Sequence, residues 1–83
     1  MNIEQEILAI LDEALSLRGR ANQFSRDTVL LGAIPELDSM AVMAIINLLE
    51  ERFGMAIGDD EIEGATFATV GALADFARGK VEG

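Results

Sequence analysis

The chain has 83 residues, of which 15 are acidic and 6 are basic, and it contains no cysteine, histidine, tryptophan or tyrosine. The length suits a single domain over residues 1–83, the 51% hydrophobic content is too high for a disordered chain, and the missing cysteine excludes disulfides and thiolate metal sites. The net charge of −9 opposes binding to nucleic acid or an anionic membrane, and no apolar run approaches the roughly 20 residues that span a bilayer.

The first predicted helix covers residues 2–17, where apolar side chains recur on one face and Asn2 is suited to cap the N-terminus. Arg18 and Gly19 predict a basic last turn and the end of this helix. From residue 19 to residue 37 the helical period is lost. The apolar residues of this long loop indicate that it packs across a core instead of extending into solvent.

The second predicted helix covers residues 39–53 and ends at Gly54. We expect its buried stripe to contain Val42, Ile45, Ile46, Leu49 and Phe53. A short acidic turn at residues 59–63 precedes a last helix that Thr69 caps. Its apolar residues are Val70, Leu73, Phe76 and Ala77. Strand signals are weak, so the predicted fold is all-α: a small four-helix bundle with three longer helices, one short helix and a long loop between helices 1 and 2.

The start of the second helix is the candidate functional site. Residues 36–40 lead from the loop into the helix N-terminus, where unpaired backbone N–H groups and the positive end of the helix dipole favour an attached phosphate. Ser39 is the candidate for modification, with Asp38 beside it. On local chemistry alone, the interpretation that Asp38 or Ser39 only caps the helix is favoured.

Four motifs follow one another along the chain: LDSM at residues 37–40, LLEERFG at residues 48–54, IGDDEI at residues 57–62 and TFATVGAL at residues 66–73. With these motifs the chain resembles the acyl carrier protein family. The first is similar to the family's D-S-L attachment signature, and the third is similar to its I-P-D-E-E turn, with Gly58 where proline is common. The match covers almost the whole chain in order.

The resemblance implies a carrier and not an enzyme. Family members receive 4′-phosphopantetheine from coenzyme A on the serine of the D-S-L motif, here Ser39, with Asp38 as its motif neighbour. A phosphopantetheinyl transferase attaches the group, and its terminal thiol holds acyl intermediates as thioesters for acyl-loading and acyl-processing enzymes of lipid or specialised-metabolite biosynthesis. The missing cysteine agrees with this, since the working sulfur is on the cofactor. We expect a complete cytoplasmic protein that is monomeric and has no metal site.

Partners are expected to contact the second helix and its flanks. At about 100° per residue, Met40, Ala44, Asn47 and Glu51 lie opposite the predicted buried stripe, with Met43 between. The predicted partner-binding residues are Met40, Met43, Asn47, Glu36, Glu50 and Glu51. Eight acidic residues and one basic residue lie between residues 36 and 63, which favours basic docking faces. No charged residue follows Ser39 before Glu50, so we expect partners from a specialised pathway instead of the housekeeping fatty-acid system.

Two alternatives stay open. An acidic helical interaction module without a cofactor explains the charge and the methionines, but not the Asp38–Ser39 pair with its downstream motifs. A peptidyl or aminoacyl carrier is also open, although aspartate before the serine favours the acyl branch, because peptidyl carriers more often have histidine there. An enzyme with Ser39 as nucleophile would need a base, and the chain has no histidine and one lysine, Lys80.

Overall fold

The computed structural model describes residues 2–82, with the backbone alone described at residue 59. Within this range the chain forms three α-helices, which are α1 (Ile3–Leu15), α2 (Ser39–Phe53) and α3 (Val70–Glu82). Three short 3-10 helices lie at Arg20–Gln23, Asp59–Glu61 and Gly64–Phe67. The all-α prediction with three longer helices is confirmed, and the predicted short helix is a 3-10 turn. No helix of the described range is long and apolar enough to cross a bilayer.

The first helix begins as predicted, with the side chain of Asn2 accepting a hydrogen bond from a backbone N–H of the first turn. It ends at Leu15, two residues before the predicted end, because Ser16 adopts a left-handed conformation with φ of 54°. This turn brings Leu17 back into the core, where it is buried. The predicted basic last turn is therefore wrong, since Arg18 lies beyond the helix.

The long loop crosses the core as predicted, and backbone hydrogen bonds tie it to the start of α3. Four bonds form this connection: Leu30 N–H to Ala68 O, Leu31 N–H to Phe67 O, Val70 N–H to Thr28 O, and Gly71 N–H to Arg26 O, all between 2.9 and 3.1 Å. Leu30 and Leu37 are buried. In contrast, the side chains of Val29 and Leu31 are about half exposed, because the connection fixes their backbone and leaves the side chains at the surface.

The buried face of α2 differs from the predicted stripe. Three of its residues are buried in the core: Ala41, Ile45 and Leu49. Three others that we expected there are only partly buried: Val42, Ile46 and Phe53. The centre of the buried face is thus rotated by about 55° from the prediction, at about 100° per residue. The phase was wrong because residues 40–46 are apolar on every side of the helix, so their periodicity does not define one face.

One arginine joins α1, the loop and α3 at the surface. Arg26 Nη1 lies 2.6 Å from Glu4 Oε2, and Arg26 Nη2 lies 2.9 Å from Asp75 Oδ2. Hydrogen bonds to these carboxylates, that of Glu4 first, raise the pKa of Arg26 above its ordinary value. Because the three side chains are partly exposed, the contribution to stability is modest.

Candidate functional site

The N-cap of α2 is Asp38. Its backbone is extended, and its Oδ1 accepts a hydrogen bond of 2.8 Å from the N–H of Ala41. Its carbonyl oxygen accepts a second bond of 2.9 Å from the N–H of Val42. Ser39 is therefore the first residue of the helix and not its cap, which decides between the two candidates for capping that the sequence left open.

The side chain of Ser39 is accessible for modification. The residue is exposed, and within residues 2–82 its hydroxyl has no hydrogen-bond partner. In the same range the N–H groups of Ser39 and Met40 have no protein acceptor, as expected for the first turn of a helix. A phosphodiester on this hydroxyl would lie beside free N–H donors at the positive end of the helix dipole. The chemistry of this first turn fits a phosphate-linked group.

A loop arginine holds the carboxylate that precedes the site. Arg20 Nη2 lies 2.7 Å from Glu36 Oε2. The hydrogen bond from Arg20 is the main cause that lowers the pKa of Glu36 below its ordinary value. Arg20 thereby balances a negative charge close to the position where a phosphate would be attached, and it ties the loop to the start of α2. Arg20 was not among the predicted site residues, because nothing in the sequence pairs residues 16 positions apart.

Five of the predicted site residues share one exposed side of α2, which we call the Ser39 face: Ser39, Met40, Met43, Asn47 and Glu51. Met40 is 82% exposed and Met43 is 55% exposed. Glu50 is partly buried, and its Oε2 accepts a hydrogen bond of 2.8 Å from the N–H of Ile57. Glu36 lies outside the helix and is paired with Arg20. The contacts of all these residues with partners stay a prediction.

An apolar groove lies beside the Ser39 face. It has a volume of about 300 Å³. It lies between α2 and the 3-10 helix Gly64–Phe67, and its lining residues are Leu31, Val42, Ile62, Glu63, Gly64 and Phe67. Val42 is three residues after Ser39, so the groove begins about one helical turn from the site. No sequence pattern predicts this groove, because Leu31 and Ile62 belong to segments without a helical period.

No metal site is found among the described residues, where no cluster of three or more histidine, cysteine or carboxylate side chains is close enough to hold an ion. Glu61 of the acidic turn instead pairs with Lys80, with Oε1 and Nζ 2.6 Å apart. Hydrogen bonds from Lys80 and then from the Gly58 N–H lower the pKa of Glu61. The acidic turn is thus tied to α3 by an ion pair.

Comparison with known proteins identifies the family. A family model described as a phosphopantetheine attachment site matches residues 5–77. The chain belongs to this family. The fold is also similar to the solution NMR structure of a holo acyl carrier protein from Nitrosomonas europaea, with 43% sequence identity, coverage of 100% of both chains and a TM-score of 0.91.

This membership confirms the resemblance seen in the sequence. The chain is a carrier of the acyl carrier protein family and not an enzyme, and its cofactor is covalently attached 4′-phosphopantetheine. The cofactor supplies a thiol, which the chain itself lacks because it has no cysteine. The alternative of an interaction module without a cofactor does not agree with this membership.

Proposed function

We propose that Ser39 carries the 4′-phosphopantetheine arm, and that the arm presents acyl groups as thioesters to partner enzymes of a lipid or specialised-metabolite pathway. The observation that supports this most is that Asp38 and Ser39 have different roles at the start of α2. Asp38 caps the helix, which leaves the Ser39 hydroxyl exposed and unpaired within residues 2–82. A rigid helix end then carries the flexible arm.

Three other hydroxyl groups are less suitable for a phosphate. Ser16 lies at the C-terminal end of α1, where the helix dipole opposes negative charge. Ser25 lies in the loop, away from any N-terminal turn of an α-helix. Thr69 does lie at a helix start, but its Oγ1 accepts a hydrogen bond of 3.0 Å from the N–H of Ala72 and thus serves as the cap. This comparison favours Ser39.

Transfer of the arm needs a transferase. The Ser39 oxygen forms the new bond to phosphorus as the pyrophosphate P–O bond of coenzyme A breaks and adenosine 3′,5′-bisphosphate leaves. The hydroxyl proton must also leave. The chain has no histidine, and its one lysine, Lys80, is paired with Glu61 on α3. The carboxylate of the preceding residue, Asp38, accepts a hydrogen bond from the N–H of Ala41. We therefore assign removal of the proton to the phosphopantetheinyl transferase and assign positioning of the hydroxyl to this chain.

We propose that the transferase and the acyl-processing enzymes dock on the Ser39 face. Next to Ser39 the face is apolar, with the exposed side chains of Met40 and Met43. Further along it is acidic, with Glu51 exposed. The complementary partner surface has an apolar centre for the methionines and basic residues farther from the arm. An uncharged first half of α2 supports a partner set from a specialised pathway.

The apolar groove beside Ser39 supports an acyl cargo over an aminoacyl cargo. Its lining is mostly apolar, with Val42 of α2, the buried Phe67 and the half-exposed Leu31. A hydrocarbon chain gains free energy from such a surface, whereas a charged amino group loses hydration there. We also propose that the protein is cytoplasmic. We propose that it is a monomer, since one arm must be presented to many partners in turn.

The missing cysteine makes a direct test simple. The apo protein is incubated with coenzyme A, Mg²⁺ and a promiscuous phosphopantetheinyl transferase, desalted and titrated with a thiol reagent. We expect one thiol per chain for the parent and for the control Ser25→Ala, and none for Ser39→Ala. A thiol on the Ser39→Ala protein, or none on the folded parent, would overturn the proposal.

A further inference from the structure

Two oxidisable side chains of this protein lie beside Ser39. The sequence has four methionines and no cysteine, histidine, tryptophan or tyrosine, so methionine sulfur is its one readily oxidised group. Met1 lies outside the described residues. Met40 is 82% exposed and Met43 is 55% exposed, whereas Met55 is partly buried against the core.

Met40 and Met43 are three positions apart on α2, so their side chains are neighbours on the helix surface. Both belong to the Ser39 face, and Met40 follows Ser39 directly. A thioether is flexible and apolar, and exposed methionines of this kind form adaptable contact surfaces. The sulfoxide is polar and has a strong hydrogen-bond acceptor.

We propose that Met40 and Met43 are a reversible oxidation site that controls docking at the Ser39 face. This inference rests on the proposed function, because it requires that partners contact these two side chains. The oxidant is a hydroperoxide such as hydrogen peroxide. The thioether sulfur attacks one peroxide oxygen, an S–O bond forms as the O–O bond breaks, and water leaves. Sulfur is oxidised by two electrons and the peroxide is reduced by two.

Oxidation changes the docking surface without changing the fold. Both side chains are exposed, so their sulfoxides find water in the free protein and cause no strain in the core. In a complex the same oxygens lose water against an apolar partner surface that offers no donor, which weakens association. The change is reversible, because methionine sulfoxide reductases restore the thioether.

The rate of each oxidation is measured on the apo protein, which has no thiol to compete for peroxide. Trypsin cleaves after Arg52 and so separates Met40 and Met43 from Met55. We expect sulfoxide at Met40 and Met43 to form at least about threefold faster than at Met55, following exposure. After removal of the peroxide, we expect phosphopantetheinyl transfer to the oxidised protein to slow about five- to tenfold.

Two variants and the parent treated with sulfoxide reductases are the controls of this experiment. For the variant with Met40→Leu and Met43→Leu, we expect the rate of phosphopantetheinyl transfer after peroxide treatment to equal its rate before treatment, whatever that rate is. The variant Met55→Leu is expected to lose rate on treatment as the parent does, and sulfoxide reductases are expected to restore the parent. Circular dichroism checks that each treated protein keeps its helices.

Two results overturn the inference alone: oxidation of Met55 as fast as that of Met40 and Met43, or an unchanged transfer rate after both are oxidised. A third result, no transfer to the untreated parent, overturns the proposed function and this inference with it. The untreated sample therefore separates the two failures.

Discussion

The Asp38 carboxylate accepts a hydrogen bond of 2.8 Å from the N–H of Ala41, which leaves the neighbouring Ser39 hydroxyl without a structural role within residues 2–82. Two adjacent residues thus do separate work, one holding the helix start and one available for modification. If Ser39 were the cap, its modification would remove a hydrogen bond that the fold uses. The observed arrangement permits the same fold before and after attachment.

Removal of the cap is expected to destabilise the protein, whereas removal of the hydroxyl is not. Asp38→Ala removes the acceptor for the Ala41 N–H and should lower the free energy of unfolding by about 1 kcal/mol. Asp38→Asn keeps an acceptor and serves as the matched control. Ser39→Ala should change the free energy of unfolding by less than about 0.5 kcal/mol. Urea denaturation measures all three, and an equal loss in Asp38→Ala and Ser39→Ala would contradict the assignment of the cap.

Two glycines of α3 should respond in opposite directions to alanine. At Gly79 a Cβ atom meets nothing within 4 Å, so Gly79→Ala should stabilise the protein by about 0.5–1 kcal/mol through higher helix propensity. At Gly71 it would lie 3.0 Å from the carbonyl oxygen of Arg26, which also accepts the Gly71 N–H. Gly71→Ala should therefore be less stable than the parent. Thermal denaturation gives the order of stability of the variants. Stabilisation by both substitutions would show that the loop can move away from position 71 without loss of stability.

Acid should weaken the attachment of the acidic turn to α3. The hydrogen bond from Lys80 lowers the pKa of Glu61 in the folded protein below its value in the unfolded chain. A carboxylate whose pKa is lowered in the folded protein stabilises the fold at pH values above its unfolded pKa, about 4.3. It loses that contribution as the pH falls through the lower folded pKa. The urea midpoint should therefore fall as the pH is lowered from 6 to about 3.

The variant Glu61→Gln should show less of this fall, because it has no carboxylate to protonate at that position. Glu13→Gln is the matched control, since Glu13 is exposed and has no ion pair within residues 2–82. The same pH dependence in Glu61→Gln as in the parent would show that the pair with Lys80 does not contribute.

Docking through the methionines is tested by making them polar. Changing both Met40 and Met43 to serine should weaken binding to partner enzymes by about tenfold, because the partner's apolar surface then lies against hydroxyl groups. The fold should survive, since both side chains are exposed. Isothermal titration of the apo protein with the transferase measures the change. The control is Val81→Ser, at an exposed apolar residue of α3, and unchanged affinity in the double variant would remove these two residues from the docking surface.

Local chemistry made several features predictable. Asn2, Thr69 and Gly54 end or start helices through side chains or conformations that belong to their residue types, and the structure has them in those roles. The Asp38–Ser39 pair was recognisable because a helix start has a specific need for acceptors. These features depend on residues that are close together in the sequence, so they can be predicted from the sequence.

Features that depend on distant residues were not predictable. The buried face of α2 was placed with the wrong phase, since Ala41 and Val42 are both apolar and the packing partner decides which one is buried. The pairing of Arg20 with Glu36, and the groove that Leu31 shares with α2, arise from the path of a loop without a period. Such contacts are set by tertiary packing and leave no pattern in a single chain.

Attachment of the cofactor to Ser39 is tested most directly by locating the cofactor in the chain. Trypsin places the three serines on three different peptides, with Ser39 on residues 27–52. After incubation with coenzyme A, Mg²⁺ and transferase, tandem mass spectrometry should find one phosphopantetheine on that peptide, with fragment ions that assign it to Ser39. Cofactor on a peptide carrying Ser16 or Ser25, or on Thr28 of the same peptide, would contradict the claim.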